Sequence, residues 1–174
     1  ADNVFKQLLL IKAFADLPIK KCISFHNDIS SAKGFINGKT KEDISFGKVL
    51  DFFKDIDKND FYIDHINGSM SAGERAGRLD SFSKKNYGLI TNAQCLTEGI
   101  DVPIIDSIYF VEPRNSIINI VQACGRALRK KRNSKFEKKA FFIIPILINE
   151  NSDKDDESFN KINFEIDRKS TRLN

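Results

Sequence analysis

The sequence predicts an α/β fold in which a parallel sheet is covered by helices on both faces. Short apolar runs suited to strands alternate along the chain with longer segments whose apolar residues recur at helical spacing. Strands separated by helices pair in parallel through right-handed crossovers, which lay the helices over the sheet. A chain of 174 residues is long enough for one domain with a sizeable core.

Local signals set the expected limits of these elements. A first helix carries Val4 to Ala15 and is stopped by Pro18, which cannot continue a helix. Thr40, with Asp43 three residues later, is expected to cap a helix that extends to Ile56. Ser71 and Glu74 form a capping box at the start of another helix. The remaining predictions are strands at 22–25, 61–66, 87–91, 107–111 and 140–148, and a helix at about 30–36.

Composition and charge limit the classes of protein that fit. We expect one domain over residues 1–148, followed by an acidic linker and the start of a helix or a frayed tail over 149–174. The formal charge of +4 does not by itself indicate nucleic-acid binding. No apolar run approaches the roughly 20 residues that span a bilayer, and no signal-peptide pattern opens the chain. Three cysteines without a Cys-x-x-Cys pair are typical of buried thiols, so we predict a cytoplasmic protein without a membrane partner.

The segment Ile120–Arg129 carries the strongest functional pattern. On a helix that turns about 100° per residue, Gln122, Arg126 and Arg129 fall within about 60° of one another, opposite an apolar side. Two adjacent guanidinium groups suit a polyphosphate, because each can donate two parallel hydrogen bonds. By itself the pattern fits a solvated basic helix end equally well. The eight Lys and Arg residues between 126 and 139 likewise can follow phosphates or simply face water.

A second pattern lies upstream, where the strand at 87–91 runs into a polar loop. Gly99 stands between Glu98 and Asp101, and Pro103 directs the chain toward the next strand. Glycine permits a close backbone approach, and a carboxylate just past a strand end can accept hydrogen bonds from a ribose diol. A loop of this kind alone is a weak indication of function.

Together, these segments resemble motifs of superfamily-two helicases and translocases. Residues 91–103 resemble motif V, and residues 122–129 resemble motif VI. Residues 21–27 and 65–75 resemble motif IV and the segment called IVa, so four motifs occur in the expected order over about residues 20–148. The sequences of motifs V and VI are most similar to those of the motor subunits of restriction-type DNA translocases. It differs from DEAD-box RNA helicases, which usually carry His at the position of Gln122, and this difference favours DNA over RNA.

The resemblance implies the second RecA-like domain of such a motor, a P-loop NTPase-like fold without its own P-loop. Arg126 and Arg129 would stabilise the charge on the transferred γ-phosphate, and Gln122 would orient the phosphate or the attacking water. Asp101 would bind the ribose, with Gly99 and Glu98 beside the nucleotide. Nucleic acid would meet a surface at the strand ends, where ligands bind parallel sheets. That surface comprises Ser24, His26, Asn27, Gly68, Ser69 and either Thr91 or Thr97, whose assignment the longer loop leaves open.

The sequence also lacks parts that a complete motor needs. It contains no Gly-x-x-x-x-Gly-Lys-[Ser/Thr] loop for phosphates and no Asp-Glu pair after a strand. The resemblance implies that ATP and Mg²⁺ bind mainly to a first RecA-like domain of the same protein. This chain alone is therefore expected to be inactive as an ATP hydrolase. Restriction-modification subunits are further possible partners.

Two alternatives remain from the sequence alone. One is a stand-alone nucleic-acid-binding domain in which the arginines grip the backbone without ATP chemistry. The other is an unrelated Rossmann-like enzyme, which would need a glycine-rich turn after its first strand, whereas residues 22–28 contain no glycine. No metal site is predicted, because His26 and His65 are isolated in the sequence.

Overall fold

The computed structural model describes residues 2–93, 104–111 and 140–145. The chain divides into two units, Ala1–Ile144 and Pro145–Asn174, and every element below belongs to the first. The predicted domain limit at residue 148 lies outside the described residues. The helices are α1 (Asp2–Asp16), α2 (Ile29–Asn37), α3 (Phe46–Leu50) and α4 (Ala72–Lys84), with a 3₁₀ turn at Lys58–Asp60. The strands are β1 (Lys21–His26), β2 (Phe61–Asn67), β3 (Tyr87–Ala93), β4 (Ser107–Phe110) and β5 (Phe141–Ile143).

The five strands form one sheet in the order β2-β3-β1-β4-β5, and every neighbouring pair is parallel. The sheet therefore contains the crossovers that the alternation of strands and helices predicts. Because the strands are parallel, all their carboxyl ends lie at one edge. Helices cover both faces, so the predicted fold class is confirmed.

One face of the sheet packs beneath α1, α2 and α3. Its core joins inward residues of the strands, such as Cys22, Leu89 and Tyr109, to Phe35 of α2 and Phe46 of α3. All five side chains are buried. A hydrogen bond also joins the sheet to α1, because the Tyr109 hydroxyl of β4 donates to the carbonyl of Lys6 at 2.9 Å.

The opposite face packs beneath α4. Ser71 accepts a hydrogen bond from the Glu74 backbone N–H at 3.2 Å, and Glu74 accepts from the Ser71 N–H at 2.8 Å. This reciprocal pair is the predicted capping box, and it fixes where α4 begins. From α4, Phe82 enters a buried cluster with Ile66 and Ile90 of the sheet.

The prediction of the third helix was wrong in its start and its length. The Asp43 carboxylate accepts from the backbone N–H groups of Lys39 and Thr40 at 2.7 and 2.8 Å, so it closes a turn instead of opening a helix. Ser45 caps α3 through the Lys48 N–H, and the helix ends after one turn. Phe52 then lies 80% exposed, although its apolar character had suggested a helical core position.

The amino-terminal edge of the sheet is held by two charged residues. Asp106 accepts from the backbone N–H groups of Lys20 and Lys21 at 2.8 and 3.0 Å, which joins β4 to β1. The Lys21 ammonium is buried, donates to the carbonyls of Phe82 and Lys85, and lies 4.8 Å from the Phe82 ring centroid. Burial lowers the pKa of Lys21, against an opposing effect of Asp106. Among the described residues, no helix is both long and apolar enough to cross a membrane.

Candidate functional site

The carboxyl edge of the sheet brings together most of the described residues predicted to contact nucleic acid. His26 is the last residue of β1, and Asn27 follows it. Gly68 and Ser69 follow the end of β2 directly. Asn27, Gly68 and Ser69 are exposed at this edge.

The turn after β2 is held in one shape by side-chain hydrogen bonds. The Asn67 carbonyl oxygen Oδ1 accepts from the Ser69 backbone N–H at 2.9 Å and from the Ser69 hydroxyl at 2.6 Å. The Arg75 guanidinium of α4 donates to the Met70 carbonyl at 3.0 Å. With Ser71 fixed as the N-cap of α4, the exposed groups at 68 and 69 are presented from a constrained backbone.

The segment after β1 is constrained in a similar way. Asp28 caps α2 by accepting from the Ser31 N–H at 2.7 Å and the Ser31 hydroxyl at 3.0 Å. These hydrogen bonds hold the pKa of Asp28 below its usual value. Asn27 is therefore fixed between a strand end and a helix cap.

Three residues of the predicted surface point inward. Ser24, His26 and Thr91 are 0%, 1% and 0% exposed, and the His26 ring packs 5.1 Å from the ring of Phe35 in α2. The expectation that these side chains line a surface is not met in the structure, because their positions on β1 and β3 face the layer that α2 covers. Of the described residues predicted to contact nucleic acid, only Asn27, Gly68 and Ser69 are exposed.

The inward residues belong to a polar row across the sheet. Ser24 and His65 are the Cα partners of Thr91 on either side of β3. The Ser24 hydroxyl lies 2.9 Å from Nε2 of His26, and the Asn67 amide nitrogen lies 2.9 Å from Nε2 of His65. All five side chains are buried, so this is a polar layer within the core.

His65 and Asn67 were missed as functional candidates, although the sequence contained a usable signal. Every second residue of β2 faces the core, beginning with Phe61 and Ile63. The next two residues on this face are the polar His65 and Asn67. Polar residues in such positions need specific partners.

His65 lies in an environment that disfavours its charged form. Burial is the largest effect that lowers its pKa, and the positive charges of Lys33 and Arg78 act in the same direction against Asp64. Because β2 is an edge strand, His65 has outward backbone groups, and both have partners. Its N–H donates to Asp64 at 2.7 Å, and its carbonyl accepts from Arg78 at 3.0 Å.

The residues predicted to act on nucleotide lie outside the described residues. They are Gln122, Arg126, Arg129, Glu98, Gly99 and Asp101, and the same holds for Thr97. Within the described ranges, no group of three or more His, Cys, Asp or Glu residues is arranged to hold a metal ion.

Comparison with known families identifies the architecture. Residues 6–131 match the helicase conserved C-terminal domain. The chain belongs to this family. The match contains all four segments whose wording resembles superfamily-two motifs, and it places the chain as the C-terminal domain of a helicase or translocase of that superfamily.

Solved structures agree with this helicase C-terminal fold. An ATP-dependent Type ISP restriction-modification enzyme, LlaBIII, bound to DNA matches 92% of the chain with a TM-score of 0.70 and 22% identity. The C-terminal domain of the DEAD-box protein Dbp5 matches 92% with a TM-score of 0.56 and 16% identity. S. cerevisiae Dbp5 bound to RNA and ADP BeF3 matches 94% with a TM-score of 0.55 and 16% identity.

The chain corresponds to only a part of most of these proteins. It spans 11% of the restriction-modification enzyme and 34% of the nucleotide-bound Dbp5, but 76% of the isolated Dbp5 domain. A comparison with curated protein sequences found no match.

Proposed function

We propose that this helicase C-terminal domain is the second motor domain of an ATP-dependent DNA translocase or helicase of the restriction type. The observation that carries the proposal is the extent of the family match. It runs through residue 131 and so includes the segments 91–103 and 122–129, which resemble motifs V and VI. The spacing of the two arginines left their role open, and membership in a helicase family favours an ATP-linked role.

In the proposed mechanism, the domain completes a nucleotide site built mainly by another domain. Arg126 and Arg129 stabilise the charge on the γ-phosphate as it is transferred, and Gln122 orients the phosphate or the attacking water. Arginines with this role accelerate phosphoryl transfer by a factor of about 10³–10⁵ in related enzymes. ATP and Mg²⁺ are held by a first RecA-like domain of the same protein.

The ribose end of the nucleotide would meet the segment that follows β3 in the sequence. Asp101 accepts hydrogen bonds from the ribose hydroxyls, and Gly99 lets the backbone approach the phosphates, with Glu98 beside it. The strand β3, which precedes this segment, occupies the second position in the sheet and is paired on both sides.

Nucleic acid would bind the carboxyl edge of the sheet. Asn27, Gly68 and Ser69 are exposed on a constrained backbone, which suits contacts to the sugar-phosphate backbone that carry no sequence information. Ser24, His26 and Thr91 support this edge from beneath, and Thr97 is a further candidate for contact. We favour DNA because the motif sequences resemble those of DNA translocases, and because a solved structure with this fold is bound to DNA.

The proposal is tested with the intact protein that contains this domain. Double-stranded DNA should stimulate its ATP hydrolysis more than RNA does, and displacement of a triplex-forming strand should report translocation. The 174-residue chain alone should neither hydrolyse ATP nor bind it with micromolar affinity.

Either of two results would overturn the proposal. Micromolar ATP binding by the isolated chain would favour a self-contained nucleotide-binding protein. An intact protein that binds DNA but shows no DNA-dependent ATP hydrolysis would favour a nucleic-acid-binding domain without ATP chemistry.

A further inference from the structure

The hydrogen bonds around Asn67 determine which nitrogen of His65 carries a proton. Asn67 Oδ1 accepts from the Ser69 backbone N–H, which can only donate, so the amide cannot be turned round. The Asn67 nitrogen Nδ2 therefore faces His65 and must donate to its Nε2 at 2.9 Å. An Nε2 that accepts a hydrogen bond carries no proton. The ring is thus neutral, with its hydrogen on Nδ1.

This assignment leaves a buried donor beside a buried hydroxyl. His65 Nδ1 and Thr91 Oγ1 are both fully buried, and within the part of the chain that the structure describes neither has a hydrogen-bond partner. Leaving such a group unsatisfied in the core is costly, so native proteins nearly always supply a partner. Two such groups in one place call for a common explanation.

The register of the sheet puts the two groups next to each other. His65 and Thr91 are Cα partners on the parallel strands β2 and β3, so their side chains leave the same face about 4.8 Å apart at the backbone. Ser24 follows in the same row as the Cα partner of Thr91 on β1. A water between these side chains would meet a donor from the ring and hydroxyl groups that can accept or donate. Buried waters usually have two to four such partners.

We propose that His65 is a positioning residue, fixed as the Nδ1–H tautomer, which binds one buried water molecule together with Thr91. The resulting chain of hydrogen bonds runs from the Ser69 turn through Asn67 and His65 to β3. It thereby joins the exposed turn at 68–69 to the strand β3, which precedes the segment that resembles motif V. Its effect on nucleic-acid binding rests on the proposed function, whereas its chemistry does not.

The tautomer is read directly by imidazole ¹⁵N chemical shifts of the isolated chain. The sequence contains two histidines, so a His26→Gln variant assigns the spectrum. At pH 7.5, His65 should show a protonated Nδ1 and an unprotonated Nε2. Asn67→Asp places an acceptor opposite Nε2, which should therefore gain a proton and shift the His65 titration to higher pH. A wild-type ring protonated on Nε2, or an unchanged titration in the variant, would overturn the assignment.

The water site makes a prediction about the sign of a stability change. Thr91→Val keeps the shape of the side chain but removes the hydroxyl. If the hydroxyl has a water partner, the melting temperature should fall by about 2–4 °C, and a cycle with His65→Phe should be non-additive. If both groups are truly unpaired, Thr91→Val should raise the melting temperature.

A rise in melting temperature or additive effects would therefore overturn the water site. A crystal structure that shows ordered waters supplies a second test, since one water should lie within hydrogen-bond distance of both His65 Nδ1 and Thr91 Oγ1. A direct contact between these two atoms would overturn the water while leaving the tautomer intact.

The functional arm uses the intact protein. Asn67→Ala removes the acceptor that holds Ser69 and should weaken DNA binding several-fold, whereas Asn59→Ala, at the opposite edge of the sheet, should not. Unchanged affinity in Asn67→Ala would overturn the claim that the hydrogen bonds of Asn67 and His65 position the turn at 68–69 for DNA. A wild-type protein that binds no DNA would instead refute the proposed function, and the spectroscopic result would stand.

Discussion

Substitution of Gly88 by alanine tests the packing between β3 and α4. An added Cβ at Gly88 would lie 2.6 and 2.7 Å from two ring carbons of Phe82, and 3.3 Å from the Tyr62 carbonyl oxygen. Carbon atoms normally approach to about 3.5–4.0 Å, so the ring must move by roughly 1 Å. The ring is fully buried, meets Tyr62 edge to face at 6.3 Å, and lies under the Lys21 ammonium. It therefore has little room to withdraw.

The expected magnitude combines two opposing effects. Overpacking of a filled core costs about 1–3 kcal/mol. Alanine also restricts the unfolded chain, which stabilises the protein by about 0.4–1 kcal/mol at a position with ordinary backbone angles. The net loss in free energy of unfolding should be about 1–2 kcal/mol, which corresponds to a drop in melting temperature of about 2–8 °C.

Thermal and urea unfolding of the isolated chain measure this loss. Gly77→Ala is the matched control, because nothing lies within 4 Å of its added Cβ in α4. It should stabilise the helix by about 0.5–1 kcal/mol. Phe82→Leu should cost less in the Gly88→Ala background than alone, since the smaller side chain relieves the clash. A Gly88→Ala protein as stable as the wild type would refute this account of the packing.

Three further predictions concern local features. Ser71→Ala should lower the free energy of unfolding by about 1 kcal/mol through loss of the cap on α4, measured by urea unfolding; no change would show that the capping box contributes nothing. Burial raises the pKa of Cys22 to about 12. In a Cys95→Ser/Cys124→Ser variant, the Cys22 thiol should therefore resist a disulfide reagent at pH 8 until the protein unfolds. Rapid reaction in the native state would contradict its burial. The pKa of His65 is lowered on folding, so below pH 6.5 the unfolded state binds more protons than the folded state. The free energy of unfolding should therefore fall as the pH is lowered below 6.5. In the His65→Gln variant it should fall less.

The strand and helix order could be predicted because the signals are local. Apolar runs bounded by polar segments predicted the five strands that the described residues form, and β3 extends only two residues beyond its predicted end. The capping box at Ser71 was predictable because its two hydrogen bonds join residues three apart. The start of α3 was not, since Thr40 and Ser45 are both suitable caps. The choice between them depends on how Asp43 folds back onto Lys39 and Thr40.

The location of the candidate site was predictable from the sequence, but which of its side chains are buried was not. Parallel strands end at one edge, so His26, Asn27 and Gly68 were expected together. Whether a side chain at that edge faces solvent depends on which face a helix covers. Since α2 covers the face of Ser24 and Thr91, those residues became part of a buried polar row instead of a surface.

The central claim is that Arg126 and Arg129 act on ATP and not on nucleic acid. The most direct measurement is the steady-state rate of ATP hydrolysis by the intact protein at saturating ATP and DNA, alongside its DNA affinity. Arg126→Ala or Arg129→Ala should cut hydrolysis by about 10³-fold or more and leave DNA affinity nearly unchanged, because the lost interaction is strongest in the transition state. Lys131→Ala, as the control, should hydrolyse ATP normally. Arginine variants that hydrolyse ATP at the normal rate but no longer bind DNA would contradict the account.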